Sequence, residues 1–148
     1  VVKGYWNKPE ATAATFIDGW VRIGDLARLD DEGFCYIVDR AKDIVIRGGE
    51  NIYSSEVEDV LYAHPAVTDC ALIGLPHRTL GEEPAAVVHL APGTSASEAE
   101  LQDWVRQRLA NFKVPVAIRF VHEVLPRNAN GKILKKDLRV MFVEEGVA

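Results

Sequence analysis

Two adjacent glycines, Gly48 and Gly49, divide the stretch that most constrains this chain, Asp39 to Glu58, which reads DRAKDIVIRGGENIYSSEVE. Before them a charged group (Asp39, Arg40, Lys42, Asp43) gives way to an apolar run, Ile44-Val45-Ile46. After them come Ile52 and Tyr53, then Ser55 with Glu58 three residues on, the spacing of a capping box. Few local structures satisfy that order: a hinge, a strand, a tight loop whose backbone has no Cβ to accommodate, and a helix start. A domain boundary is expected at Arg40 to Asp43.

The two sides of that boundary differ. Upstream, Asn7-Lys8-Pro9-Glu10 reads as a turn and Glu10 to Ile17 as about two turns of helix, broken by Asp18-Gly19. Trp20 to Leu29 and Phe34 to Val38 are apolar segments separated by Asp30-Asp31-Glu32-Gly33, a hairpin signal. An isolated hairpin is marginal, and Trp20, Val21, Ile23, Leu26, Phe34, Tyr36 and Ile37 need a covering surface. Residues 1–40 are therefore expected to self-associate at high concentration. Downstream, the pattern is α+β. Strands are expected at Ile44 to Ile46, Val67 to Leu75 (ended by Pro76), Pro84 to Leu90 and Ile118 to Val121. Helices are expected at Glu56 to Ala63, after Ser97 with Leu101, Trp104, Val105 and Leu109 on one face, and at Lys135 to Val143. Asn130-Gly131 is a tight-turn signal. The predicted fold of 42–148 is a three-stranded sheet flanked by helices plus a short hairpin, with a β-hairpin unit at 1–41 before it.

Composition narrows the classes of function. With a formal net charge of -5 and no basic stripe, the chain is not expected to bind nucleic acid, and any anionic ligand must be held by local positive groups. Cys35 and Cys70 lie far apart with no CxxC or Cys/His ligand spacing, which argues against a zinc site or a disulfide framework and fits a reducing cytoplasm. His64, His77, His89 and His122 likewise show no ligand spacing, so no metal-binding residues are expected. No apolar run approaches the roughly 18 residues of a membrane span. The start, VVKGYWNKPEAT, lacks both an initiator Met and the apolar core of a signal peptide, the look of a fragment.

Three motifs carry the chemistry: Trp20-Val21-Arg22-Ile23-Gly24-Asp25; Asp39-Arg40-Ala41-Lys42-Asp43 followed by Gly48-Gly49-Glu50-Asn51; and Pro126-Arg127-Asn128-Ala129-Asn130-Gly131-Lys132-Ile133. Each alone has a plain reading, as a bulge in a hairpin, a glycine turn between strands, and a surface lysine in a turn. Together, in this order, they resemble the C-terminal region of adenylate-forming acyl-CoA synthetases, the superfamily that also holds firefly luciferase and the adenylation domains of peptide synthetases.

The resemblance implies roles. The Asp25 carboxylate, which offers only acceptors, would take hydrogen bonds from the ribose diol of ATP or AMP, and Arg40 would contact the ribose or phosphate. Ile23 departs from the family's usual threonine. Lys42 would be the hinge about which the lid domain swings between half-reactions; peptide-synthetase domains more often carry Asp there, so Lys42 leans toward CoA ligases. Gly48 and Gly49 would line the pantetheine path of CoA, and Lys113 would lie near the CoA adenine and phosphates. Lys132 would be catalytic, bridging the substrate carboxylate and the α-phosphate.

The family's Ser/Thr/Gly-rich phosphate loop and its acyl pocket have no counterpart in 1–148, and no GxxxxGK is present. The expected identity is the lid domain plus the tail of the large N-terminal domain of an acyl-CoA synthetase, inactive alone. The implied reaction takes a carboxylic or fatty acid with ATP and Mg2+ to acyl-AMP, then with CoA to acyl-CoA and AMP, the Mg2+ ligands lying outside this chain. An adenylation domain loading a carrier protein, and a freestanding binding module without catalysis, remain as alternatives.

Overall fold

In the computed structural model, which describes residues 2–143, the chain divides into two compact units, Val1–Lys42 and Asp43–Ala148. Residues 1 and 144–148, included in the domain limits read from the sequence, lie outside the described residues.

In the first unit, Pro9–Thr15 forms helix α1 with its proline in the first turn, where no N–H is required. Phe16–Ile17 (β1) and Trp20–Val21 (β2) pair antiparallel, and Asp25–Leu29 (β3) pairs with Cys35–Arg40 (β4). Sequence patterning expected one strand from Trp20 to Leu29. Instead Asp18 and Gly19, at φ of 50° and 80°, make a two-residue hairpin turn, and Gly24, at φ 81°, separates β2 from β3. No apolar side chain is buried among this unit's described residues.

The second unit is built on one sheet of five strands. Val45–Arg47 (β5) and Glu50–Ile52 (β6) form a hairpin closed over Gly48-Gly49, whose positive φ values of 58° and 90° suit a turn that matches strand twist. Helix α2, Ser54–Tyr62, follows. Val67–His77 (β7) and Gly81–Leu90 (β8) make a long antiparallel ribbon. Helix α3, Glu98–Arg106, and one turn of 3-10 helix at Asn111–Lys113 lead to Ala117–Val121 (β9), which runs parallel to β8. Helix α4, Lys135–Val143, closes the unit. The three long strands and the short hairpin of the sequence reading are all present. The hairpin joins the same sheet, through Arg47 opposite Gly81.

Both faces of the ribbon are covered, which explains why β7 reads as a continuous apolar run. Successive side chains alternate: Cys70, Leu72, Ala86 and Val88 face a core completed by Val57 and Leu61 of α2 and Leu101 and Val105 of α3. Ala71, Ile73, Ala85 and Val87 face the other way, onto Leu125 and onto Leu138 and Phe142 of α4. Register sets large against small, Leu72 opposite Ala86 and Ile73 opposite Ala85.

Several element ends lie a few residues from expectation, β8 for instance beginning at Gly81 and not Pro84, and two of them have a clear physical reason. β7 runs through Pro76, paired with Glu82, because β7 is the last strand of the sheet and an edge tolerates a missing donor. Helix α2 starts at Ser54 with Tyr53 as N-cap and no side-chain cap, so Ser55 lies inside the helix. The Ser54 hydroxyl donates instead to the Asp43 carbonyl. The Ser97 cap forms as read, its Oγ accepting from the Glu100 N–H at 3.1 Å.

Candidate functional site

The first cluster is a cross-strand pair in β3 and β4. Asp25 stands opposite Arg40, and Arg40 Nε donates to Asp25 Oδ1 at 3.1 Å. The Ala41 N–H donates to the Gly24 carbonyl at 2.9 Å, so the glycine just before β3 also receives the chain leaving β4. The first two motifs, remote in sequence, are thus brought side by side. Their pair offers what a ribose or phosphate group requires, a carboxylate that accepts and a half-exposed guanidinium that donates. Lys42, two residues on, is exposed and is the last residue of its unit.

The second cluster is the β5–β6 turn. The Gly48 N–H donates to the Leu80 carbonyl at 2.7 Å and the Ile46 N–H to Glu82 Oε2 at 3.1 Å, so the hairpin hangs on the far end of the β7–β8 ribbon. A Cβ on Gly48 would meet Leu80 Cδ2 at 3.3 Å, whereas one on Gly49 would point into open space. Gly74 leaves room for the Glu82 carboxylate, which would lie 2.7 Å from a Cβ there. Arg47 pairs with Glu83 at 3.3 Å alongside.

The third cluster carries Lys132, and here the structure adds groups that sequence reasoning missed. Asp69 in β7 is 6% exposed and accepts from the Tyr62 hydroxyl at 2.6 Å and from Arg127 Nη2 at 2.7 and 2.9 Å. Burial pushes the Asp69 carboxyl up, but the Tyr62 and Arg127 hydrogen bonds and the guanidinium charge outweigh it and hold the group below its ordinary value. Burial and the bond to Asp69 push the Tyr62 phenol up to about 12. The Lys132 backbone N–H donates to Asn128 Oδ1 at 3.0 Å, and its side chain is exposed. One signal was legible: a lone carboxylate inside Val67 to Leu75 requires a buried partner.

Lys113 lies apart from these clusters, its Nζ 2.5 Å from Glu56 Oε2. Its ammonium reaches an anionic ligand only by sharing or leaving that carboxylate. Trp104 is structural, its indole N–H donating to the Val60 carbonyl at 2.8 Å to tie α3 to α2. His64 is buried, its Nδ1 accepting from the Ala66 N–H at 3.2 Å. Among the described residues no group of three His, Cys, Asp or Glu side chains gathers to hold a metal, and no helix is long and apolar enough to cross a membrane.

Solved structures share this fold. The o-succinylbenzoate CoA synthetase of Bacillus subtilis, solved in complex with an acyl-adenylate intermediate, superposes with a TM-score of 0.85 at 42% identity, over 93% of this chain and 28% of that one. ATP-bound MatB from Rhodopseudomonas palustris gives 0.84 at 40% identity, over 95% of this chain and 28% of that one. The chain belongs to the AMP-binding enzyme C-terminal domain family, whose model matches residues 56–132. Curated relatives include feruloyl-CoA synthase from an Amycolatopsis species, 49% identical over 96% of this chain and 29% of that protein. A long-chain-fatty-acid–CoA ligase of Bacillus subtilis is 51% identical over 93% of this chain and 24% of that protein. The chain thus spans less than a third of the length of the relatives it matches.

Proposed function

We propose that residues 42–148 act as the lid of an ATP-dependent carboxylate–CoA ligase, with 1–41 contributing the end of its large AMP-binding domain. The reaction joins a carboxylic or fatty acid to ATP to give acyl-AMP and pyrophosphate, then passes the acyl group to CoA, in a cytoplasmic enzyme. Asp25 and Arg40 bind the nucleotide, Lys42 is the hinge, and Mg2+ accompanies the phosphates on groups outside this chain.

The observation that carries this reading is the placement of the two glycine- and lysine-bearing turns. The Gly48-Gly49 hairpin is fastened at Leu80 and Gly81, and the Lys132 turn is fastened to Asp69 through Arg127. From His77, which pairs with Gly81, back to Asp69 is eight residues of β7, roughly 25 Å at about 3.3 Å per residue. No single reaction centre spans that distance, whereas a domain that presents its ends in turn gives each a separate task. Lys132 then stabilises charge developing between carboxylate and α-phosphate, with no proton transfer asked of it, while the glycine turn flanks the thiol arm in the thioester step. Gly48-Gly49-Glu50-Asn51-Ile52-Tyr53 favours CoA over a carrier protein as acceptor. Lys113 contributes to the CoA phosphates only if Glu56 yields it.

Single-turnover rates in the full-length enzyme test the assignment. Lys132→Ala is expected to slow acyl-adenylate formation on the order of 100-fold to 1,000-fold and to spare thioester formation from supplied acyl-adenylate. Gly49→Leu is expected to do the reverse: its side chain projects into the open space beside the turn and strains a φ of 90°. Equal slowing of both steps by each variant would remove the two-faced lid.

A further inference from the structure

Burying a carboxylate costs several kcal/mol unless it is fully matched, and an apolar residue of the same shape often serves stability as well. The Asp69 carboxylate is matched by the Tyr62 hydroxyl, the Arg127 guanidinium and the Leu125 N–H at 3.4 Å, all drawn onto one buried group. What an apolar substitute could not supply is the other arm of Arg127. Its Nη1 donates to the Gly131 carbonyl at 3.0 Å, at the peptide that leads directly into Lys132. Among the described residues, the other hydrogen bonds of the turn are internal to it. Asn128 Oδ1 gathers the N–H groups of Asn130 and Lys132 at 3.0 Å each, and the Asn128 N–H donates to the Lys132 carbonyl at 2.9 Å. One guanidinium therefore spans from a buried strand to the base of an exposed lysine.

We propose that Arg127, braced by Asp69 and Tyr62, is a positioning residue that holds Lys132 where the adenylation step needs it; this rests on the role given to Lys132 above. A planar fork is required because both ends must be held at once: an ammonium reaches Asp69 or the Gly131 carbonyl, but not both. Misplacing a charge by about 1 Å costs on the order of 100-fold in rate. Arg127 acts through Lys132 and touches no reacting atom.

The test uses the full-length enzyme and three variants. Arg127→Lys is expected to slow acyl-adenylate formation roughly 30-fold to 100-fold, with thioester formation from supplied acyl-adenylate changed less than about twofold. Amide exchange at Asn130 and Lys132 should accelerate while Ile46 and Gly48 stay unchanged. Tyr62→Phe, which keeps the ring packing and removes one brace, should give the same pattern at about a third to a tenth of the effect and guards against an Arg127 variant that does not fold. In the Lys132→Ala background, Arg127→Lys should cost no further rate, since the two act as a unit. A full additional loss in that background, or unchanged exchange at Lys132 in both brace variants, overturns the inference. If Lys132→Ala itself shows no selective effect, the lid assignment fails instead, and the exchange data still judge whether Arg127 positions the turn.

Discussion

Asp69 is where a single residue decides most. Its carboxyl binds a proton less readily in the folded chain than in the unfolded one, so the stability it contributes is complete above its ordinary value of 3.8 and drains away as pH falls through the lowered folded value. Asp69→Asn is expected to lose about 2–3 kcal/mol at pH 7, less than a fully buried pair would because the Arg127 side chain is 40% exposed. Urea midpoints of the two proteins should draw together as pH falls below about 4, where the unfolded carboxyl and then the native one take up a proton. Tyr62 runs opposite. Its phenol holds its proton more tightly when folded, so its contribution is complete below 10 and is lost as pH rises toward about 12. A gap between the two proteins that stayed constant from pH 3 to 7 would mean that folding does not shift the Asp69 carboxyl, and one that shrank as pH rose would mean that the group is un-ionised in the fold.

Elements depend on contacts that no periodicity reveals. The β5–β6 hairpin joins the ladder of β8 at one residue pair, Arg47 with Gly81, helped by the Arg47–Glu83 ion pair and by the Glu82 carboxylate lying over Gly74. Gly74→Ala therefore displaces the end of a flexible side chain, which is sterically cheap, but it takes the acceptor from the Ile46 N–H. We expect a loss of about 1 kcal/mol and faster amide exchange at Ile46, with the β7–β8 pairing unaffected. Ser97→Ala removes the α3 cap and should also cost about 1 kcal/mol in thermal or urea unfolding. The Ser97 cap was legible because its hydroxyl and its target N–H are neighbours in sequence. Ser55 satisfied the same spacing, yet α2 begins two residues earlier than expected, at Ser54, whose hydroxyl finds the Asp43 carbonyl eleven residues back.

At the scale of the whole molecule, the two units differ in what they bury. The apolar core begins at Val45, while Trp6, Trp20, Ile23, Leu29, Phe34 and Ile37 of the first unit are all exposed. A two-stranded pairing with no apolar interior exchanges its amides quickly. Hydrogen exchange on the chain at low concentration should therefore find Trp20 to Val38 weakly protected and β7–β8 strongly protected; slow exchange across both in a proven monomer would contradict this. Self-association through residues 1–40 at high concentration is the companion expectation, read by sedimentation. The chain alone should release no pyrophosphate from ATP with fatty acid and CoA, because orienting the reactants supplies much of the rate and the groups expected to orient them lie outside 1–148.

Neighbours along the chain are enough to place the apolar strands at 67–75 and 84–90, the glycine turns, the Ser97 cap and the order of the three motifs, all of which can be read from sequence. Sequence alone could not bring Asp25 to Arg40, extend β7 through Pro76, or find that Asp69, Tyr62 and Arg127 share one buried charge. Those are decided by register and by burial. A proline is acceptable only once its strand is known to lie at an edge, and a carboxylate at position 69 becomes a brace only when the fold carries Arg127 onto it from 58 residues away.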